Sequence, residues 1–171
     1  MMNSVSDISC VSGQMPRIVG LAYASKLYRN NKNLSDMENF SINGNEVVFG
    51  TIGDASTSEG HFWEAINACG VLQVPLIMSI WDDGYGISVP SEYHTTRNDL
   101  SKALSGFQRS SKKENGYEIF TVHAWDYINL LKTYQKAEKL AREYHVPCII
   151  HVKDVTQPQG HTTSGLSLIH I

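Results

Sequence analysis

The chain has 171 residues, with Lys plus Arg 14 and Asp plus Glu 17, for a formal net charge of −3. That balance excludes a globally cationic surface of the kind that holds nucleic acid or anionic lipid. Hydrophobic residues at 42% and charged residues at 18% fit one globular domain with a sizeable core, and no window holds the ~18 uninterrupted apolar residues of a membrane span.

Residues 1–13 are polar and Ser-rich, without the basic end and apolar centre of a secretory signal. From Met15 to Asn30 the residues Ile18, Val19, Leu21, Ala22, Leu27 and Tyr28 suit an amphipathic helix, with Pro16 tolerated in its first turn. Residues 30–45 are rich in Asn, Ser and Asp and read as an exposed loop. Residues 46–52 are a short apolar run with β-branched side chains, ended by Gly53-Asp54: a buried strand and its turn. Ser56-Thr57-Ser58-Glu59 has the spacing of a capping box, and Phe62, Ala65, Ile66, Cys69 and Leu72 continue it at helical spacing. After Pro75, residues 76–81 form a second apolar strand closed by Asp82-Asp83-Gly84-Tyr85-Gly86. This completes a strand–helix–strand unit.

Residues 91–116 are polar and poorly periodic, a loop with a short helix near 100–107. A strand at 117–122, a long helix capped by Asp126 and running to Tyr144, and a last strand at 146–152 follow. In the long helix Ile128, Leu131, Tyr134 and Leu140 are expected to face the core. The alternation predicts an α/β fold with a mostly parallel sheet sandwiched by helices. Of the cysteines, Cys69 and Cys148 read as small buried hydrophobes, and with Cys10 they form no zinc spacing. Free thiols point to a reducing, cytoplasmic setting.

Ligands of open parallel sheets bind outside the carboxyl ends of the strands. Three segments fall there: Gly53-Asp54-Ala55-Ser56, Asp82-Asp83-Gly84-Tyr85-Gly86, and Gln159-Gly160-His161-Thr162. The first opens a helix, whose N–H groups and dipole suit phosphate oxygens. Asp54 with Asp82 or Asp83 would place a cation between carboxylate and phosphate. Two carboxylates, a backbone carbonyl, phosphate oxygens and a water fill the octahedral shell of Mg²⁺. Singly, each segment also has a structural reading, Gly-Asp as a turn with a helix cap and Asp-Asp-Gly as a tight turn. The histidines other than His161 read as surface or packing residues. Three such segments at strand ends together favour a metal–phosphate site.

Gly53-Asp54 … Glu64-Ala65-x-Asn67 … Pro75 … Asp83-x-Tyr85-Gly86 resembles the thiamin-diphosphate motif of the α subunits of 2-oxo acid dehydrogenases, the E1 components. Gln14-Met15-Pro16 resembles that family's helix start, and Gly160-His161-Thr162-Thr163-Ser164 its Gly-His-Ser-x-Ser loop. The resemblance implies the diphosphate-binding half of a thiamin-diphosphate fold over residues 1–165, incomplete, with 166–171 a non-matching tail that need not be native. It implies Mg²⁺ held by Asp54, Asp83 and the Tyr85 carbonyl, and a diphosphate held by the N–H groups of Ala55 and Ser56. Val11 would lie beside the cofactor rings, and His161 would be the catalytic residue of a mobile loop near the phosphates. Thr162 stands where some relatives carry a phosphorylated Ser.

The implied activity is oxidative decarboxylation of a 2-oxo acid, pyruvate or a branched-chain one, with acyl transfer to a lipoyl-bearing E2. A β-type E1 domain or subunit would supply the catalytic glutamate, so the complete enzyme is an oligomer and this chain alone is inactive. Ala55 in place of the last Gly of Gly-Asp-Gly matters only if that position needs a positive φ. Asp82-Asp83 in place of Asn-Asn resembles a bacterial branch with fused α and β parts, and its extra negative charge should tighten Mg²⁺. The alternatives are another thiamin-diphosphate enzyme of transketolase type, a non-catalytic interaction module of the same fold, or a Mg²⁺-dependent receiver-type domain using Lys153.

Overall fold

The computed structural model describes residues 10–34 and 39–156. Four strands, β1 (Val48–Gly53), β2 (Leu76–Trp81), β5 (Glu118–His123) and β6 (Cys148–Lys153), form one sheet in the order β1-β2-β6-β5. All three pairings are parallel, with Gly53 opposite Trp81 and Trp81 opposite Val152. A short antiparallel ribbon, β3 (Tyr85–Gly86) and β4 (Val89–Pro90), follows β2. The helices are α1 (Met15–Asn30), α2 (Gly60–Leu72), α3 (Leu100–Ala103) and α4 (Tyr127–Tyr144).

The central strands are apolar on both faces because helices cover both. Leu76, Met78, Ile80 and Ile149 pack with Ile18, Ala22, Phe62, Ile66 and Cys69 of α1 and α2, and with Leu100 and Leu104. Ile77, Cys148, Ile150 and Val152 face Ala137 and Ala141 of α4. The result is the expected α/β sandwich. Cys69 and Cys148 are fully buried, and burial pushes each thiol up to about 12, so both are inert hydrophobes.

Four local expectations are corrected. In α4 the residues Ile128 and Leu131 are exposed, while Ala137 and Ala141 face the sheet, with Tyr134 and Leu140 packed beside them. Small side chains let the helix approach the strands closely, so the buried stripe follows the alanines rather than the largest residues. Likewise in α1, Leu21 and Leu27 are exposed, and Met15, Ile18, Ala22 and Ser25 face inward. The capping box does not form: Ala55–Ser58 is a 3₁₀ turn, and α2 begins after Glu59, which makes no side-chain cap hydrogen bond. The loop at 30–45 is not wholly exposed, since Ser41 and Gly44 are buried against α1.

Candidate metal and diphosphate site

Parallel pairing of β1 with β2 sets their carboxyl ends side by side. The Asp54 N–H donates to the Trp81 carbonyl at 3.0 Å, and the Asp82 N–H donates to the Val152 carbonyl at 2.9 Å. Asp54 and the Asp82-Asp83 pair therefore meet at one corner of the sheet. Asp54 is 3% exposed, and its Oδ2 has no hydrogen-bond partner. Burial first, and then the charge of Asp82, push its carboxyl up to about 7, with Asp83 adding to the rise and the Ala55 N–H opposing it. Such a cluster of acids around one buried carboxylate is the environment a divalent cation relieves.

The reading of Gly-Asp as a helix cap fails here, because Asp54 makes no side-chain cap hydrogen bond. Its carbonyl instead accepts from the Thr57 N–H at 3.1 Å and from the Thr57 hydroxyl at 2.5 Å, which closes the 3₁₀ turn. Ala55 and Ser56 lie in that turn, so their N–H groups do not stand at the mouth of α2 and its dipole begins farther along the chain. The expected helix-dipole contribution is corrected accordingly. Ala55 does not adopt a positive φ, so the missing glycine carries no backbone strain. What the alanine does require is Gly86: a Cβ there would lie 2.7 Å from the Ala55 Cβ.

Asp82 is occupied elsewhere. Its Oδ2 meets His151 Nε2 at 2.6 Å and its Oδ1 accepts from the Gly84 N–H at 3.0 Å. His151 is fully buried and meets the Ser101 hydroxyl at 2.7 Å through Nδ1. This hydrogen bond from His151, against the burial of the carboxyl itself, holds Asp82 below the usual carboxylate range. Asp83 accepts the Tyr85 N–H at 3.0 Å through Oδ1. The turn, with Gly84 at φ +81°, thus divides the acids: Asp82 is tied into the sheet and Asp83 is left at the corner with Tyr85.

Val11 is exposed in the turn before α1, beside Ser12, whose hydroxyl donates to the Ser56 carbonyl at 2.9 Å. That bond draws the Val11 turn to the same corner. His161, with Gly160 and Thr162, lies outside the described residues. Lys153, the lysine of the receiver-type alternative, pairs with Asp99 at 3.3 Å.

Sequence reasoning missed His94. Its Nε2 lies 3.9 Å from Asp54 Oδ2, and these are the only two buried side-chain polar atoms without a partner among the described residues. His94 stands in the aperiodic stretch after β4, where no spacing singles it out. It also borders a cleft of about 490 Å³ lined by Thr57, Trp63, Arg97 and Lys102. The described residues contain no group of three or more His, Cys, Asp or Glu side chains in a metal-binding arrangement. An ion at this corner would therefore take backbone or phosphate oxygens as well. With that addition the donor set fits Mg²⁺, which rarely has an all-protein cage.

In sequence and in fold the chain is similar to known proteins. The family model for the dehydrogenase E1 component matches residues 3–165. The mitochondrial 2-oxoisovalerate dehydrogenase subunit alpha of Caenorhabditis elegans is 33% identical over 163 residues, covering 95% of this chain and 32% of that protein. The corresponding subunit of Bacillus subtilis is 27% identical over 146 residues, 85% of this chain and 38% of its own. A transketolase structure from Campylobacter jejuni superposes with a TM-score of 0.59 over 83% of this chain and 19% of that one, at 18% identity, a likeness of fold. The chain thus spans between about a quarter and two-fifths of the curated relatives it matches.

Proposed function

The chain belongs to the dehydrogenase E1 component family, and from that premise we propose that it is the diphosphate-anchoring part of a thiamin-diphosphate-dependent 2-oxo acid dehydrogenase. In this reading Asp54, Asp83 and the Tyr85 carbonyl hold Mg²⁺, and the N–H groups of Ala55 and Ser56 meet diphosphate oxygens. The observation that carries it is the buried Asp54 Oδ2, without a hydrogen-bond partner and within the field of Asp82 and Asp83 at the sheet's carboxyl edge. When bound, thiamin diphosphate supplies a nucleophilic thiazolium carbon and an electron sink for loss of CO₂ from a 2-oxo acid.

The chain's own residues bind and orient. Asp54 and Asp83 bring the negative charge that a cation needs beside a phosphate, and Asp82, held by His151, fixes the turn that presents Asp83 and Tyr85. Val11 shields the ring end of the site from water, and His161 assists acyl transfer to the lipoyl group of an E2 partner. A β-type E1 domain or subunit supplies the activating glutamate, so the chain on its own turns over nothing. The names of its relatives favour a branched-chain 2-oxo acid over pyruvate. Its free thiols suit a reducing, cytoplasmic setting. Among the described residues no helix is long and apolar enough to cross a membrane.

Calorimetric titration with thiamin diphosphate, with Mg²⁺ and with chelator, tests the reading on the chain and on Asp54→Ala. Heat that requires both Mg²⁺ and Asp54 is expected. Absence of metal-dependent heat would leave only an interaction module of this fold, and decarboxylation by the isolated chain would overturn the need for a β partner.

A further inference from the structure

We propose that His94 is a metal ligand, its Nε2 and Asp54 Oδ2 taking opposite positions on one divalent ion. The inference rests on the reading of Asp54 as an ion-holding residue and adds a nitrogen donor to it. Asp54 and His94 carry the only buried side-chain polar atoms without partners among the described residues, and those two atoms face each other at 3.9 Å. Two independent orphans rarely survive in a folded chain, because each costs about 1–3 kcal/mol. Their meeting at one point makes a place for a third party that satisfies both.

The separation says what that party is. A direct hydrogen bond would close the pair to about 2.7–3.2 Å. Neighbouring ligands on an octahedral ion with bonds of about 2.0–2.1 Å stand about 3 Å apart, and opposite ligands about 4.0–4.2 Å. The observed 3.9 Å lies next to the last value. It needs only a few tenths of an ångström of adjustment.

The imidazole is also held as a ligand is held. His94 Nδ1 meets the Thr95 hydroxyl at 2.9 Å, and the His94 carbonyl accepts from the Ser58 hydroxyl at 3.1 Å. A metal-bound histidine characteristically donates its other ring N–H to an oxygen, which fixes the tautomer. The tautomer that donates from Nδ1 to Thr95 turns its Nε2 lone pair toward Asp54, where a cation can take both atoms. Gly86 closes the other side: a Cβ there would meet Ala55 Cβ at 2.7 Å and His94 Cδ2 at 3.6 Å, so ring, turn and ribbon are in mutual contact. With Asp54 and His94 across the ion, Asp83, the Tyr85 carbonyl and diphosphate oxygens complete the shell, and the imidazole takes the place a water would otherwise fill.

A nitrogen donor has a chemical consequence. Imidazole favours first-row transition ions over Mg²⁺ relative to an all-oxygen shell. The site should therefore prefer Mn²⁺ or Co²⁺ to Mg²⁺, and His94 should be the cause.

The test uses the full 171-residue chain with Mn²⁺ and inorganic pyrophosphate, a probe without nitrogen. Pulsed electron paramagnetic resonance is expected to show nitrogen coupling to Mn²⁺ that changes when the protein's histidines are ¹⁵N-labelled. His94→Gln should abolish the coupling, weaken Mn²⁺ at least about tenfold and narrow the Mn²⁺-over-Mg²⁺ preference, with the cooperative thermal transition retained. The labelling arm stands on the wild-type chain even if the variant does not fold. Mn²⁺ that binds, is weakened by Asp54→Ala and shows no histidine nitrogen overturns the role of His94 while the Asp54 reading stands. Mn²⁺ binding indifferent to Asp54→Ala contradicts both.

Discussion

Beneath the carboxyl end of α4, Glu46 accepts hydrogen bonds from the Ser41 hydroxyl at 2.7 Å and the Ile42 N–H at 2.6 Å. Beside it Arg29 donates to the Gly44 carbonyl at 2.9 Å and the Arg142 carbonyl at 2.7 Å, and His145 Nε2 meets the Gly44 carbonyl at 3.1 Å. At the ends of β1 and β2 the carboxylate of Asp54 is buried and the imidazole of His94 half-buried, yet Asp54 Oδ2 and His94 Nε2 have no hydrogen-bond partner. The first corner spends its polar groups on joining α1, the 41–46 loop and α4. The second leaves its groups open at the position where a parallel sheet receives ligands. Satisfied polar networks hold a fold together, and orphaned ones mark where the fold expects something else.

That contrast breaks first at Gly44. Its φ is +63°, and a Cβ would run into the Ser25 carbonyl oxygen and lie 2.7 Å from the Arg29 nitrogen. Gly44→Ala should destabilise the chain by about 3 kcal/mol or more in urea unfolding, while the folded fraction keeps its metal affinity. His151→Phe comes next. It strips Asp82 of its partner and should cost about 2–3 kcal/mol, and it should also weaken Mg²⁺-dependent diphosphate binding by loosening the turn that carries Asp83. An equal loss at Gly44 in both stability and metal affinity would blur the distinction between the corners.

Smaller effects sharpen it. Gly86→Ala should cost about 1–2 kcal/mol through the contact with Ala55, and Ala55→Gly in the same chain should restore most of it in a double-mutant cycle. Asp54→Asn should raise stability without metal by about 1 kcal/mol, because it removes an unpaired buried charge. The same change at Glu46 should lower it. Last, burial, opposed by the bond to the Gly44 carbonyl and aided by Arg29 and Lys26, holds the His145 pKa below its ordinary value. The unfolded chain therefore takes up the proton first, so this contribution is complete above about pH 6.5 and is lost as pH falls below it. His145→Asn, which tolerates the left-handed backbone at φ 52°, should flatten that loss in pH-dependent thermal melts.

The two corners also differ in how far the sequence announced them. β2 falls where its apolar run predicts, and Asp126 caps α4 by accepting from Asn129 N–H at 3.1 Å, because both signals are local. Asp54 and the Asp82-Asp83 turn were legible as strand-end residues of one crossover unit. His94 and His151 were not, since their partners lie 40 and 69 residues away and come together only through sheet packing. The capping box failed for a related reason: Thr57 turns back onto the Asp54 carbonyl, and that closure competes with the cap. The helix faces were misjudged where size was weighed over fit, at Ile128 and Leu131 against Ala137 and Ala141.

Anomalous diffraction from crystals of the chain grown with Mn²⁺ and thiamin diphosphate tests the central claim most directly. The account predicts one manganese peak bonded to Asp54 Oδ2, with the diphosphate over the Ala55–Ser56 turn. Manganese elsewhere on the molecule, with Asp54 still unpartnered beside an ordered diphosphate, would contradict it.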